Sequence, residues 1–309
     1  MDYKPLSGRE FPRFSGIKTF FRLPLADAKS DCDILMVGVP YDGAVSYRPG
    51  ARFAPSQIRE ASSLGRGFHM TRNRNVFDLK KVADGGDCSV VPIDQTQTYE
   101  KVEKHFGEIL SSGKKFIAIG GDHSLALPLL RAAHRSAGEP LNLVHFDAHL
   151  DTYPAAWNCE YHHGSFLRHA VEEGLIAPDR SMQFGIRGPL AGGEDLDFVR
   201  KHGIHVFTVD DVREKNLSEF LAKIPKFKGP TYITFDIDCL DPAYAPGTGT
   251  PVVGGLTTYE TQRILRALEI ENLVAADLVE VSPPFDSSQI TALAAVDTLF
   301  EILCLMSAN

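Results

Sequence analysis

Phe116-Ile-Ala-Ile-Gly-Gly-Asp-His-Ser124 sets the terms for reading the whole chain. Its four leading residues are apolar on both faces. A strand with one wet face alternates apolar with polar, whereas one apolar on both is expected in a parallel sheet covered by helices on each side. Two glycines then permit a tight turn, and the chain presents Asp122 and His123. Taken alone, that pair fits a turn or cap as well as a ligand position.

Outward from this run the pattern repeats. Strand candidates are Ile34–Val39, Phe116–Ile119, Leu143–Phe146, Met182–Gly185, His205–Val209, Tyr232–Phe235 and Leu273–Val279. Amphipathic segments lie between them. Tyr99, Val102, Phe106, Ile109 and Leu110 recur at helical spacing, and Thr257 with Glu260 forms a capping-box pattern before Ile264, Leu265 and Leu268. Ile290, Leu293, Val296, Phe300 and Leu303 mark a closing helix. No linker, repeat or low-complexity stretch divides the chain, so residues 1–309 read as one α/β domain with a mainly parallel sheet, residues 1–30 being an N-terminal extension packed on it. Ligands of such sheets bind beyond the carboxyl ends of the strands.

Composition narrows the function. The chain is 43% hydrophobic with a net charge of −8 and no basic run, which argues against a nucleic-acid partner. Its most apolar window, Ile290 to Met306, is interrupted by Asp297 and Glu301, so a buried helix is expected there and not a membrane span. The amino terminus lacks an apolar signal stretch, and the five cysteines are scattered without a C-x-x-C. A reduced, cytoplasmic protein is the expectation.

The chemistry gathers where apolar runs stop. In Leu143-Val-His-Phe-Asp-Ala-His-Leu-Asp151, residues Asp147, His149 and Asp151 alternate at a strand tip, where i, i+2 and i+4 of an extended chain share a face. In Thr231-Tyr-Ile-Thr-Phe-Asp-Ile-Asp-Cys-Leu-Asp-Pro242, Asp236 and Asp238 repeat that alternation. Like charges on one strand face repel unless a cation lies between them. Asp241 before Pro242 reads as a turn former, and Cys239 as core. With His123 the three segments offer two imidazoles and four carboxylates. Two divalent ions would balance that charge, and an O/N shell without thiolate favours Mn²⁺ or a similar hard ion over structural zinc.

At this point the segments resemble the three signatures of the ureohydrolase family: Gly-Gly-Asp-His-Ser (120–124), Asp-Ala-His-x-Asp (147–151) and Asp-Ile-Asp-x-x-Asp-Pro (236–242). The likeness extends to Gly38-Val-Pro-Tyr-Asp-Gly43, Arg48-Pro-Gly-Ala-Arg52, Ala245-Pro-Gly-Thr-Gly-Thr-Pro251 and Glu280-Val-Ser-Pro283, and looks closest to the agmatinase and guanidino-acid branch. The resemblance implies a three-layer α/β/α, arginase-like domain with about eight strands. It further implies one Mn²⁺ on His123, Asp147, Asp151 and Asp236, and a second on Asp147, His149, Asp236 and Asp238; Ni²⁺ or another divalent ion is the alternative. Glu280 would receive the guanidinium group, His163 would carry a proton to the departing amine, and Asp151 would orient the attacking water. A homotrimer or hexamer is implied as well.

The implied reaction is hydrolysis of a small guanidino compound to urea and an amine, with agmatine as the leading substrate. The alternative is 4-guanidinobutanoate or 3-guanidinopropionate, whose carboxylate would call on a cation such as Arg48 or Arg52. The loop from Thr152 to His162 is positioned to border the substrate entrance, with Trp157 as a substrate contact, a loop anchor or a subunit contact. Two rivals carry less: a deacetylase would use one zinc and a different His-rich set, and a catalytically silent regulatory relative would have lost ligands.

Overall fold

All seven expected strands are present in the computed structural model, which describes residues 2–190, 192–214 and 216–308. In one sheet they are joined by an eighth, giving β1 Ile34–Gly38, β2 Val82–Asp87, β3 Lys115–Ile119, β4 Asn142–Phe146, β5 Met182–Ile186, β6 His205–Thr208, β7 Phe227–Asp236 and β8 Ile270–Val279, while Phe68–His69 and Arg74–Asn75 pair as a separate short hairpin. The unexpected strand is β2, whose sequence Val-Ala-Asp-Gly-Gly-Asp hardly resembles one. It lies at the sheet edge beside β1, where only its first half is buried, so the demand for two apolar faces is relaxed. The N-terminal segment covers that edge: Ala26 N–H donates to Asp84 O at 2.9 Å and Phe20 N–H to Asp84 Oδ2 at 2.8 Å.

Strand order is β2-β1-β3-β8-β7-β4-β5-β6, and every pairing within this sheet is parallel. Alternate residues feed two cores, Ile34 and Met36 facing one layer of helices and Leu35 and Val37 the other. One layer contains the helices Ala54–Ala61, Thr258–Ala267 and Ile290–Met306; the other contains Gln95–Ser111, Ala126–Ala137 and Phe166–Glu172. This is a single three-layer α/β/α domain.

The local signals hold. The helix Gln95–Ser111 buries Tyr99, Val102, Phe106, Ile109 and Leu110. The capping box at Thr257 is formed, with Glu260 N–H donating to Thr257 Oγ1 at 3.1 Å and Thr257 N–H to Glu260 Oε2 at 2.7 Å. In the helix Ile290–Met306, Asp297 accepts from Gln262 at 2.6 Å and Glu301 from Arg266 Nε at 2.8 Å, so both acids are matched inside the protein. Among the described residues no helix is long and apolar enough to cross a membrane.

What matters for chemistry is the middle of the order. Strands β3, β8, β7 and β4 are immediate neighbours, with Ile119 beside Leu278, Val279 beside Asp236, and Phe235 beside Phe146. Their carboxyl ends therefore emerge together, and these are the ends that carry the acidic and imidazole groups.

Candidate metal centre and active site

Each candidate side chain is delivered by a strand end followed by an irregular turn. After β3, Gly120 and Gly121 adopt φ of 91° and 80°. A Cβ at Gly121 would lie 2.5 Å from Tyr41 O, so the turn excludes any side chain. Asp122 then accepts from Ser124 N–H at 3.0 Å and Ala44 N–H at 2.9 Å, acting as a cap and leaving His123 to point inward.

The other two segments converge by a different route from simple strand alternation. β4 ends at Phe146, and Asp147, His149 and Asp151 all lie in the loop beyond it, Asp151 at φ 52°. Asp236 closes β7, but Asp238 sits on a 3₁₀ turn (Ile237–Cys239) pinned by Asp238 N–H donating to Asp236 Oδ1 at 2.8 Å. Across the strands, Ala148 N–H donates to Asp238 Oδ1 at 3.0 Å. The sequence expected the right residues on one face; turns, and not extended chain, bring them there.

His123 Nδ1 lies 3.1 Å from Asp147 Oδ2, 3.0 Å from Asp151 Oδ2 and 3.3 Å from Asp236 Oδ2. It is buried, yet has hydrogen-bonding geometry to none of them. Its other nitrogen, Nε2, is 2.9 Å from Thr234 Oγ1. Thr234 in turn donates to Asp277 Oδ1 at 2.6 Å, so the threonine oxygen is left to accept the Nε2 proton and Nδ1 presents its lone pair to the carboxylates. A lone pair facing three carboxylate oxygens is repulsive unless a cation lies among them. His149 Nδ1 repeats the arrangement, 3.3 Å from Asp147 Oδ1 and 3.2 Å from Asp238 Oδ2. A small divalent ion with octahedral ligands at about 2.1 Å separates neighbouring ligand atoms by about 3.0 Å, so both spacings suit an ion. Two groups of residues are close enough to hold one: His123, His145, Asp147 and Asp151, and Asp147, His149 and Asp238. Asp147 belongs to both. These donors suit a divalent ion; Asp236, expected as a ligand of both ions, belongs to neither group and places Oδ2 3.3 Å from His123 Nδ1.

Charge tells the same story. Burial, then the charges of Asp238 and Asp147, push the Asp236 carboxyl well above its usual range, and burial raises Asp238. Asp147 is held well below, because its three imidazole neighbours outweigh burial. Cys239 is fully buried and its thiol is raised by burial, so it is core, as expected. Asp241 accepts from Ala243, Gly254 and Gly255 N–H groups, as a turn former should.

Sequence reasoning missed His145. Its Nε2 is 2.8 Å from Asp147 Oδ2, and its Nδ1 is 3.0 Å from Gln183 Nε2. Gln183 Nε2 also donates to Leu150 O at 3.0 Å, which fixes that atom as the amide nitrogen; His145 Nδ1 must therefore accept, and Nε2–H donates to Asp147. His145 is thus a donor that orients the Asp147 carboxylate common to both groups. Its place two residues before Asp147 was the available signal.

Glu280 follows β8 at φ 64°, an arrangement costing a side chain about 1–2 kcal/mol. It is 1% exposed. Oε1 accepts from His123 N–H at 2.9 Å and lies 3.0 Å from His163 Nδ1, while Oε2 is buried without a partner. His163 Nε2 is 2.7 Å from Ser46 Oγ and accepts from Ser46 N–H at 3.1 Å, a second contact the sequence did not indicate. Burial lowers the affinity of His163 for a proton, but the Glu280 carboxylate outweighs it and pushes the imidazole up to about 9. The Ser46 N–H favours the neutral ring, so this histidine is poised to hold or release a proton.

A cavity of about 470 Å³ is lined by His149, Asp151, His163 and Asp236 within and by Tyr153 and Trp157 from the Thr152–His162 loop; Glu280 is not among its lining residues and meets it through His163, 3.0 Å away. Trp157 is 74% exposed at φ 52° and stands at the rim, its ring edge-on to His162 with centroids 6.5 Å apart. Glu194 and the buried Asp195 complete that rim; one Asp195 oxygen has no partner. Arg48 and Arg52 do not line the cavity: Arg48 stacks on Tyr47 and Phe285, and Arg52 pairs with Asp42.

Known proteins resemble the chain along nearly its whole length. The Arginase family model matches residues 32–305. Guanidinopropionase of Pseudomonas aeruginosa is 42% identical over 309 residues, covering 99% of this chain and 96% of that protein. An agmatinase of Neisseria meningitidis is 43% identical over 317 residues, covering 100% and 99%. The solved structure of proclavaminate amidinohydrolase from Streptomyces clavuligerus superposes with a TM-score of 0.88 at 40% identity, covering 96% of this chain and 99% of that one. Three substrates are named at nearly equal identity, so overall likeness does not choose among them.

Proposed function

The chain belongs to the arginase family, as a metal-dependent hydrolase of linear guanidino compounds, and from that premise we propose that it converts agmatine to putrescine and urea using two Mn²⁺ ions. The observation that carries the reaction class is Glu280: a buried carboxylate with one oxygen unpartnered, beside both His163 and the ligand cluster. A guanidinium N–H would satisfy that oxygen with a charge-assisted hydrogen bond.

In this reading His123, Asp147, Asp151 and Asp236 would hold one ion and Asp147, His149, Asp236 and Asp238 the other, and the ions would supply a water acidified to near-neutral pKa. Asp151 orients that water. Glu280 would hold the guanidinium group in place, which lowers the entropic cost of attack. His163, already hydrogen-bonded to Glu280, delivers a proton to the departing amine from its ring, and Ser46 holds that ring in place. The products leave as urea and a free amine.

Agmatine is favoured over guanidino acids by the rim. Among the described residues no Lys or Arg lines the cavity, whereas Glu194 and Asp195 do. A distal ammonium finds carboxylates there; a distal carboxylate finds no cation. The same reading takes the protein to be cytoplasmic and homo-oligomeric, the former in keeping with its five free cysteines.

The test is urea release with added Mn²⁺ across agmatine, 4-guanidinobutanoate, 3-guanidinopropionate, arginine and guanidine. Agmatine should give the highest kcat/KM. Turnover of a guanidino acid in preference to agmatine would overturn the substrate assignment, and no urea from any of them would overturn the catalytic reading.

A further inference from the structure

A second cleft, of about 690 Å³, lies between the N-terminal segment and the turn around Arg66, and shares no lining residue with the catalytic cavity. Lys4, Arg9, Arg13, Arg22 and Arg66 line it, with no Asp or Glu among the lining residues. In a chain of net charge −8 this is a local reversal of sign. Lys4 is matched by Asp78 at 2.8 Å, but among the described residues none of the four arginines has an ion pair. Arg13 spends Nη1 on the carbonyls of Ser63 at 2.7 Å and Gly65 at 3.3 Å.

Arg22 is the decisive member. It is only 7% exposed, its Nη2 donates to Phe11 O at 3.1 Å, and its Nη1 is buried without a partner. A buried guanidinium without an opposing charge is costly. The backbone adds to that cost, since Phe21 and Arg22 sit at φ 53° and 59°, a left-handed pair held by Phe20 N–H on Asp84 and Phe21 N–H on Ser62 Oγ at 2.9 Å. Strain and unmatched charge persisting together mark a site that something else completes. Planar guanidinium forks suit tetrahedral oxyanions, and four unmatched arginines suit more than one phosphate group.

We propose that this cleft binds a small phosphate-bearing anion, independently of the catalytic reaction. The experiment is calorimetric titration of the Mn²⁺-loaded full chain with inorganic phosphate and with a hexose bisphosphate, at fixed ionic strength. The Arg9→Gln/Arg66→Gln double variant serves as the principal comparison, because both side chains are exposed and their loss leaves the core intact. Saturable binding is expected, tighter for the bisphosphate, and weakened at least about tenfold in the double variant. Arg22→Gln should weaken it too, with circular dichroism reporting whether that variant stays folded. No saturable binding in the native protein overturns the proposal. Equal binding in the double variant also overturns it, since the anion would then sit elsewhere, for example at the metal centre.

Discussion

Replacing Thr234 by valine removes one oxygen and almost no volume, yet it should loosen the metal centre. Thr234 Oγ1 accepts from His123 Nε2 at 2.9 Å and donates to Asp277 Oδ1 at 2.6 Å, while Tyr232 donates to Asp277 Oδ2 at 2.6 Å. All four residues are at most 1% exposed, so no water replaces the lost partner. Thr234→Val leaves the His123 Nε2–H buried and unsatisfied, at a cost of about 1–3 kcal/mol. It also removes the acceptor that keeps the Nδ1 lone pair facing Asp147, Asp151 and Asp236. Loss of such an outer-sphere partner weakens metal binding about 10–100-fold, equivalent to about 1.4–2.7 kcal/mol, so the two routes to the magnitude agree. The assay is urea release titrated with Mn²⁺. Half-activation should move up by about 10–100-fold, with most of kcat recovered at saturating metal, and Thr234→Ser should restore the native value. An unchanged half-activation concentration in the valine variant would refute the role given to this chain of hydrogen bonds.

Three further outcomes are expected. Glu280→Gln should lower kcat/KM for any guanidino substrate at least about 100-fold, or about 2.7 kcal/mol, while metal content by elemental analysis stays native. Asp195→Asn should raise KM for agmatine about tenfold and leave KM for 4-guanidinobutanoate unchanged or lower, separating the rim from the reacting centre. Glu260 is shifted below its ordinary value of 4.5, because its bonds with Arg213 and Thr257 outweigh the effect of burial. A depressed carboxyl contributes stability that is present above pH 4.5 and lost as pH falls through the lower, folded-state pKa. Chemical denaturation of Glu260→Gln should therefore show a deficit at neutral pH that shrinks below about pH 4.5.

Strands mostly apolar on both faces announced themselves because burial from two sides makes an unpaired polar residue costly; β2 escaped notice because an edge strand needs no such purity. The candidate ligand set was legible for a related reason. Acids and imidazoles directly after apolar runs are costly unless they share a cation, so His123, Asp147, His149, Asp151, Asp236 and Asp238 stood out in the chain itself. What sequence spacing misjudged was the means of convergence, since Asp151 and Glu280 reach the centre through left-handed backbone that no side-chain pattern reveals. Partners supplied from distant segments were equally hidden. Gln183 fixes the tautomer of His145 from 38 residues away, and Ser46 meets His163 across 117. Arg48 and Arg52 looked available for a substrate carboxylate, but one is stacked on Tyr47 and Phe285 and the other is paired with Asp42.

The central claim is that these side chains hold two ions sharing Asp147, and anomalous diffraction from Mn²⁺-soaked crystals tests it directly. Two manganese peaks per chain are expected, one within about 2.5 Å of His123 Nδ1 and the other within about 2.5 Å of His149 Nδ1, each also in contact with Asp147. A single peak, or peaks away from these imidazoles, would contradict it.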